Sequence, residues 1–235
     1  MISAVLVDFY GTLVRAESWG PTREEVFANR GFTIPDEARR RWGDEHIDGL
    51  EHIEPSRSAE DYRMWERERL RQMVGACGVG ADDAEVLVDD LYAAAKSFTL
   101  VAYGEVPEVL AGLHRRGVTV AVCSNWDWHL DRALAQAGLD QLVDLVVTSA
   151  RAGARKPHPR IFRHTLELCG VVPGQALFVG DSWGPDVEGP RAAGMRAVHV
   201  WRPEWAGNRP DPPPVADGVV RIPDLRGVLD LLQLT

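Results

Sequence analysis

Seven side chains with carboxylate, hydroxyl, amide or ammonium groups follow four short apolar runs of this 235-residue chain. In chain order they are Asp8, Thr12, Ser124, Asn125, Lys156, Asp181 and Asp186. A carboxylate such as Asp8 can attack phosphorus or an activated carbon and form a covalent intermediate that water later breaks. Negative charge on a transferred phosphoryl group needs a fixed cation, here Lys156, and directed donors. Thr12, Ser124 and Asn125 are expected to hold the transferred group, so the residue types predict nucleophilic group transfer.

The three carboxylates of this set also predict a metal site. Asp8, Asp181 and Asp186 would form a concentrated negative cluster beside an anionic substrate. Without a cation, that cluster would repel the substrate. Mg²⁺ is a hard cation that prefers oxygen ligands and can bridge carboxylates and a phosphate. We therefore expect Mg²⁺ as a cofactor.

Short apolar runs and intervening helical segments indicate the elements that position these side chains. The runs are rich in β-branched residues, are bounded by turn signals and do not alternate, as is typical of buried parallel strands. The predicted strands are Ala4–Val7, Val118–Cys123, Leu142–Thr148, Ala176–Val179 and Ala197–Val200, with a last short strand at Val219-Val220. The predicted helices between them are Pro107–Arg116, Leu130–Ala137, Pro159–Leu168 and Val187–Ala193, with a last one in Pro223–Leu232. This alternation predicts an α/β fold with a doubly wound parallel sheet, whose ligand crevice lies at the carboxyl ends of the strands.

A long segment interrupts the alternation after the first strand. Residues from about 15 to 96 contain the amphipathic stretches Pro35–Glu51, Ala59–Val74 and Asp82–Lys96, with little strand character. We therefore predict an all-helical insertion. The predicted boundaries are residues 1–14 and 100–235 for the α/β core and 15–99 for the insertion. The proline-rich segment Pro203–Pro214 is predicted to be a surface loop.

Composition restricts the possible partners. Apolar residues make up 45% of the chain, the formal net charge is −9 and the isoelectric point is near 5.3. The acidic balance argues against a general nucleic-acid surface, because phosphate backbones need clustered Lys and Arg, and no apolar run approaches the ~18 residues of a membrane span. The three cysteines are widely spaced and predict reduced thiols. We expect a cytoplasmic protein, monomeric or homodimeric, whose partner is a small-molecule substrate.

The ordered residues resemble the signature of the haloacid dehalogenase superfamily, which includes many phosphatases. That signature is a strand ending in D-x-D-x-T, a strand ending in Ser or Thr, a Lys, and an acidic pair after a fourth strand. The positions that match are Asp8, Thr12, Ser124, Lys156, Asp181 and Asp186. The resemblance implies a Rossmann-like core with an α-helical cap in the insertion, Asp8 as nucleophile and Lys156 as a catalytic residue. It also implies a magnesium site formed by Asp8, the Tyr10 carbonyl, Asp181 and Asp186, although Asp186 could instead orient Lys156.

Tyr10 departs from the phosphatase signature. In the family's phosphatases an Asp at this catalytic position protonates the leaving oxygen and later activates water. Tyrosine ionises near pH ~10 and is a poor general base at neutral pH. His129 and His158 lie near the second and third motifs and could supply the missing proton transfer, but surface or capping roles explain them more simply.

Two alternatives to a phosphatase therefore stay open. The sequence Asp8-Phe-Tyr-Gly-Thr-Leu13 also resembles the family's metal-independent 2-haloacid dehalogenases, in which a cap arginine holds the substrate carboxylate; Arg39, Arg40 and Arg41 are candidates for that role. The fourth motif disagrees, because Asp181 adds a carboxylate where those dehalogenases carry Ser-Ser-Asn before the final Asp. The other alternative is an impaired phosphate- or metabolite-binding protein. The leading prediction is a Mg²⁺-dependent hydrolase of a small phosphorylated metabolite that acts through a covalent aspartyl-enzyme.

Overall fold

The computed structural model describes residues 1–42, 47–207, 209–216 and 218–233. Its contacts divide the chain into two compact units. The first, called the core unit below, comprises Met1–Arg15, Asp48–Ile53 and Val101–Thr235. The second, called the helical unit, comprises Ala16–Ile47 and Glu54–Leu100. The functional assignment of residues 15–99 as a cap stays a prediction.

A six-stranded parallel sheet forms the centre of the core unit and confirms the predicted fold class. The strands of the described residues, in chain order, are β1 Ala4–Val7, β2 Val14–Trp19, β3 Phe98–Ala102, β4 Thr119–Ser124, β5 Leu145–Thr148, β6 Ala176–Gly180, β7 Arg196–Val200 and β8 Val220–Ile222. The sheet has the order β5-β4-β1-β6-β7-β8, and all of its paired strands are parallel. The order reverses at β1, and ligands bind at such switch points in open α/β sheets.

The strand β1 is buried between two neighbouring strands. All four residues of β1 are buried, because helices cover both faces of a parallel sheet. Leu6 lies opposite Ala121 of β4 on one side and opposite Phe178 of β6 on the other. Phe178 packs edge-to-face against Phe162, with ring centroids 5.6 Å apart. Burying these apolar side chains stabilises the sheet that carries the candidate site.

The helices that flank the sheet agree with the sequence prediction except after β5, where a short helix was not predicted, and after β6. They are α5 Val106–His114, α6 Leu130–Gln136, α7 Ser149–Ala152, α8 Pro159–Cys169, α9 Gly189–Ala192 and α10 Arg226–Gln233. The predicted helix Val187–Ala193 is a π-helical turn over Trp183–Glu188 followed by α9, so the helical path begins four residues earlier than predicted. Proline begins α8, and Gly170 ends it in the left-handed region at φ 66°.

The helical unit contains four α-helices among its described residues. They are α1 Arg23–Asn29, α2 Asp36–Trp42, α3 Ala59–Ala76 and α4 Ala81–Ala95. Thr22 and Glu25 form a capping box at the start of α1. Phe27, Val74 and Leu87 lie in the apolar core of the unit and are fully buried.

The structure differs from the predicted insertion in two places. Strand β2 lies in the segment predicted to be helical and pairs with β3. The predicted helix Pro35–Glu51 was too long, because α2 ends at Trp42 and Asp48–Ile53 belongs to the core unit. Residues 43–46 of that prediction lie outside the described residues. In Asp48–Ile53 the backbone bonds to another loop, since His52 N–H donates to the Gly153 carbonyl (2.7 Å).

The proline-rich segment begins with a short 3-10 turn at Pro203–Trp205, and its other described residues form no helix or strand. None of the helices in the described part of the chain combines the length and apolar character that a membrane crossing requires.

Candidate active site

The candidate site lies at the carboxyl ends of β1, β4 and β6, which are adjacent in the sheet. Asp8 comes directly after β1, Ser124 ends β4 and Asp181 comes directly after β6. Parallel strands end at the same edge, so three side chains far apart in the sequence become neighbours. All three are buried, with Asp8 only 7% exposed.

Lys156 joins two carboxylates of the site. Its Nζ donates to Asp8 Oδ1 and to Asp186 Oδ1, each at 2.6 Å. Lys156 is 1% exposed and comes from the loop between α7 and α8, where the Lys156–Pro157 peptide bond is cis. The π-helical turn places Asp186 so that its Oδ2 also accepts the Ser182 N–H at 3.0 Å. Asp186 therefore contacts Lys156, and its roles in orienting Lys156 or in holding a metal stay predictions.

Three carboxylates converge beside Lys156. Oxygen atoms of Asp8, Asp181 and Asp186 all lie within 4.8 Å of one another, and all three residues are buried. Burial raises the pKa of Asp186 to about 7, with Lys156 opposing this effect and Asp8 and Asp181 adding to it. Burial and the Asp8 carboxylate also raise the pKa of Asp181. Burial alone would lower the pKa of Lys156, but the carboxylates of Asp186 and Asp8 outweigh burial and raise it.

Asp181 has partners on three sides that sequence analysis missed. Arg209 Nη1 donates to Asp181 Oδ2 at 2.7 Å. His199 Nε2 lies 3.0 Å from the Asp181 carbonyl, and Arg221 Nε donates to the other ring nitrogen (2.8 Å), so His199 is the donor to Asp181. Gly11 has a φ of 87°, and a side chain at this position would overlap the Asp181 carboxylate. Of these residues, only Gly11 could have been recognised from the sequence, because it belongs to the Gly-Thr turn after β1.

The Asn125 side chain bonds both the backbone N–H and the backbone carbonyl of Lys156. Its Oδ1 accepts the Lys156 N–H at 2.7 Å, and its Nδ2 donates to the Lys156 carbonyl at 3.0 Å and to Asp48 Oδ1 at 3.2 Å. Gly49 N–H donates to the same Lys156 carbonyl at 3.2 Å. These bonds engage both donors of the Asn125 amide and give the residue a positioning role; its contact with a transferred group stays a prediction.

Thr12 and Tyr10 lie in the turn after β1. Thr12 is fully buried, and within the described residues its Oγ1 has no hydrogen-bond partner. The Thr12 carbonyl accepts Arg202 Nη2 at 2.9 Å, and Arg202 Nη1 forms a buried ion pair with Glu105 at 2.7 Å. Tyr10 is half-buried, and its backbone forms an isolated bridge with Val14. The turn is thus held through its backbone, while the Thr12 hydroxyl stays available.

Three further residues that the sequence offered as site candidates are His158, His129 and Arg39. His158 caps α8, because its Nδ1 accepts the Arg160 N–H at 3.2 Å, which matches the simpler of the two hypotheses for it. His129 precedes α6 without a side-chain capping bond. Arg39 lies in the helical unit and pairs with Asp36 at 2.6 Å and Glu24 at 3.1 Å.

Comparison with known proteins decides the family. The family model described as haloacid dehalogenase-like hydrolase matches residues 2–194 of the chain. The protein belongs to the haloacid dehalogenase-like hydrolases. This membership confirms the resemblance inferred from the motifs, and it makes the protein a hydrolase.

Curated relatives of this haloacid dehalogenase-like hydrolase include phosphatases. Phosphoserine phosphatase of Thermus thermophilus is 37% identical over 164 residues, covering 69% of this chain and 63% of the relative. A phosphatase of Mycobacterium tuberculosis is 32% identical over 234 residues, covering 97% of each chain. The match to haloacid dehalogenase-like hydrolase domain-containing protein 3 of Bos taurus is 36% identical over 178 residues, 72% of this chain. It spans 68% of that protein, so the chain covers about two thirds of the length of several relatives.

Solved structures share the fold. The 2-haloacid dehalogenase from Pseudomonas syringae has a TM-score of 0.65 and 22% sequence identity, with 100% of this chain and 99% of that chain covered. At this identity the likeness concerns the fold of the haloacid dehalogenase-like hydrolase, whereas its reaction must be argued from the site.

Proposed function

We propose that the protein is a Mg²⁺-dependent phosphatase that hydrolyses a small phosphorylated metabolite through a covalent aspartyl-enzyme. The observation that carries this proposal is the cluster of Asp8, Asp181 and Asp186 around Lys156. Burying three carboxylates is costly unless cations compensate their charge. The phosphatases among the curated relatives support the same choice.

The residues of the cluster fit a bound Mg²⁺. Their donor atoms are hard carboxylate oxygens, and the three carboxylates bond to two cations, Lys156 and Arg209, which leaves one negative charge uncompensated. Asp8, Asp181 and Asp186 would hold the ion, with the Tyr10 carbonyl as a fourth proposed ligand. When bound, Mg²⁺ would neutralise charge on a phosphoryl group and draw that group toward Asp8.

The side chains of the protein would then perform the reaction. An Asp8 carboxylate oxygen attacks phosphorus as the bond to the ester oxygen breaks, and the alcohol leaves with a proton taken from water, since Tyr10 replaces the usual acid. Water then cleaves the aspartyl phosphate, which releases phosphate and restores the Asp8 carboxylate. Lys156 stabilises negative charge next to Asp8 without a proton transfer, because its raised pKa keeps it charged. The buried, unpartnered Thr12 hydroxyl and the Ser124 hydroxyl are proposed donors to the phosphoryl oxygens. The helical unit as a substrate-selecting cap and a cytoplasmic location are part of the same proposal.

One observation favours a second candidate. Tyr10 replaces the acid that a phosphatase would use, and metal-independent dehalogenation needs no such acid because a halide leaves without a proton. In that reaction Asp8 would attack carbon. Without a metal, the three carboxylates of the cluster bond to Lys156 and Arg209, and the remaining negative charge would repel a carboxylate substrate, which argues against it.

A single set of assays separates the candidates. Purified protein is incubated with a panel of phosphate esters or with 2-chloropropionate, with added Mg²⁺ or with a chelator, and released phosphate and chloride are measured. We expect phosphate release that Mg²⁺ supports and the chelator abolishes. Chloride release that the chelator leaves intact would establish the dehalogenase, and ligand binding without either release would indicate a binding protein.

Variants of the proposed nucleophile test the mechanism. Asp8→Asn should lower phosphate release by roughly 10³-fold or more while the circular dichroism spectrum stays native. Asp140→Asn, an exposed carboxylate of the core unit, is the matched control and should retain activity. Hydrolysis by Asp8→Asn at the wild-type rate would refute covalent catalysis by Asp8.

A further inference from the structure

Arg209 reaches the acidic cluster from the proline-rich segment after β7. Its Nη1 lies 2.7 Å from Asp181 Oδ2, and its side chain is 36% exposed, whereas the Asp181 side chain is 6% exposed. The guanidinium stacks on the buried Trp205 ring, 4.0 Å from the centroid, and Arg209 N–H donates to the Trp205 carbonyl at 3.0 Å. Arg209 is therefore held at the solvent edge of the site by its own loop.

The ion pairs divide the cluster between two cations. Lys156 bonds Asp8 and Asp186, and Arg209 bonds Asp181. A cation that used Asp181 as a ligand would compete with Arg209 for the same carboxylate. The Trp205 stack does not depend on that carboxylate, so the guanidinium would stay at the edge of the site with its donors free.

We propose that Arg209 is a substrate-binding residue that selects phosphate esters with a second anionic group, such as a carboxylate. This inference rests on the proposed function, because it assumes that a cation engages Asp181. A guanidinium presents parallel N–H donors that match a carboxylate in two hydrogen bonds, and a stacked, oriented guanidinium loses little entropy on binding. Lysine at this position would keep the charge but lose the paired geometry.

The proposal also predicts coupling between binding of the cation and binding of the doubly anionic substrate. Because Arg209 leaves Asp181 when the cation binds, the cation frees the group that the substrate needs. Each ligand then strengthens the binding of the other by the same factor. Removing Arg209 should therefore tighten cation binding in the absence of substrate and weaken the preference for a doubly anionic substrate.

The test compares two esters that differ in one group. 3-Phosphoglycerate and glycerol 3-phosphate are matched except that the first carries a carboxylate where the second carries a hydroxymethyl group. Their dissociation constants are measured by calorimetry, with Mg²⁺ present, on Asp8→Asn protein, so that the readout needs no turnover. The ratio of the two constants is compared for proteins with Arg209, Arg209→Gln and Arg209→Lys. Arg226→Gln, which removes an exposed guanidinium paired with Asp224, is the control.

We expect Arg209→Gln to reduce the preference for 3-phosphoglycerate by roughly 10- to 100-fold, Arg209→Lys to reduce it partly, and Arg226→Gln to leave it in place. In a titration with Mg²⁺ and no ester, Arg209→Gln should bind Mg²⁺ roughly fivefold or more tightly than the protein that keeps Arg209. An unchanged ester ratio would overturn the assignment, and an unchanged Mg²⁺ affinity would overturn the release of Arg209 from Asp181. Failure of the proposed function appears separately, as absent phosphate release by protein with Asp8 intact.

Discussion

Lys156 is the residue on which the charge balance of the site depends. It is buried and bonds two carboxylates at 2.6 Å, so replacing it leaves buried negative charge without a partner. We predict that Lys156→Met lowers the free energy of unfolding by about 3–5 kcal/mol, measured by urea denaturation. The same change at Lys96, whose partly exposed pair with Glu66 spans 3.2 Å, should cost about 0–1 kcal/mol.

A double variant separates charge from packing at Lys156. If unpaired carboxylates cause the loss, Lys156→Met combined with Asp186→Asn should be more stable than the sum of the two single effects. Equal losses for Lys156→Met and Lys96→Met would contradict the argument.

Tyr10 determines which leaving groups a phosphatase of this design tolerates. An alkyl ester must receive a proton on its leaving oxygen, whereas nitrophenolate leaves without one. We predict that Tyr10→Asp raises kcat on an alkyl phosphate, up to the roughly 10²- to 10⁴-fold typical of general acid catalysis, and changes the rate on p-nitrophenyl phosphate much less. The nitrophenyl ester serves as the internal control. Equal effects on both esters would mean that Tyr10 does not stand in the position of the acid.

At the scale of elements, the turn after β1 is shaped by its contact with the loop after β6. Gly11 and Gly117 both have positive φ, 87° and 70°, but Gly117 faces open space whereas Gly11 lies against Asp181. Alanine at Gly117 should cost about 1–2 kcal/mol of stability from the backbone conformation alone. Gly11→Ala should cost more and should also weaken Mg²⁺ binding, because the new methyl group displaces the Asp181 carboxylate.

Thermal unfolding and Mg²⁺ calorimetry on the two variants check this prediction. If Gly11→Ala bound Mg²⁺ as tightly as Gly117→Ala, the turn would not position Asp181.

The connections show why elements are predicted better than loops. Strand β1 follows from a run of apolar residues whose burial requires no knowledge of distant residues. The segment Asp48–Ile53 was predicted to be helical up to Glu51, yet it bonds to Gly153, about a hundred residues later in the chain. Hydrogen bonds to distant residues override the local helical preference there, and no local sequence pattern predicts such bonds.

At the scale of the whole molecule, two cysteines, one in each unit, report on how the two units unfold. Cys123 is fully buried in the core unit, where burial raises its pKa to about 12, and Cys77 lies in the helical unit, where burial also raises its pKa. Alkylation requires the thiolate, so native Cys123 should react with iodoacetamide at pH 8 only through unfolding. Mass spectrometry across a urea series measures each site.

Coincident urea midpoints for Cys77 and Cys123 would show that the two units unfold together, and separate midpoints would show independent units. Alkylation of Cys123 in native protein as fast as in unfolded protein would contradict its burial.

The sequence by itself determined the α/β fold, the family and the positions of Asp8, Ser124, Lys156 and Asp181, three of them at strand ends. Strand ends are readable because buried parallel strands have a distinctive composition and their carboxyl ends share one edge. Only the tertiary structure decided that Arg209 meets Asp181, 28 residues away, and that Asn125 meets Asp48, 77 residues away. These contacts join irregular loops, whose paths follow from packing rather than from any periodic pattern of residues.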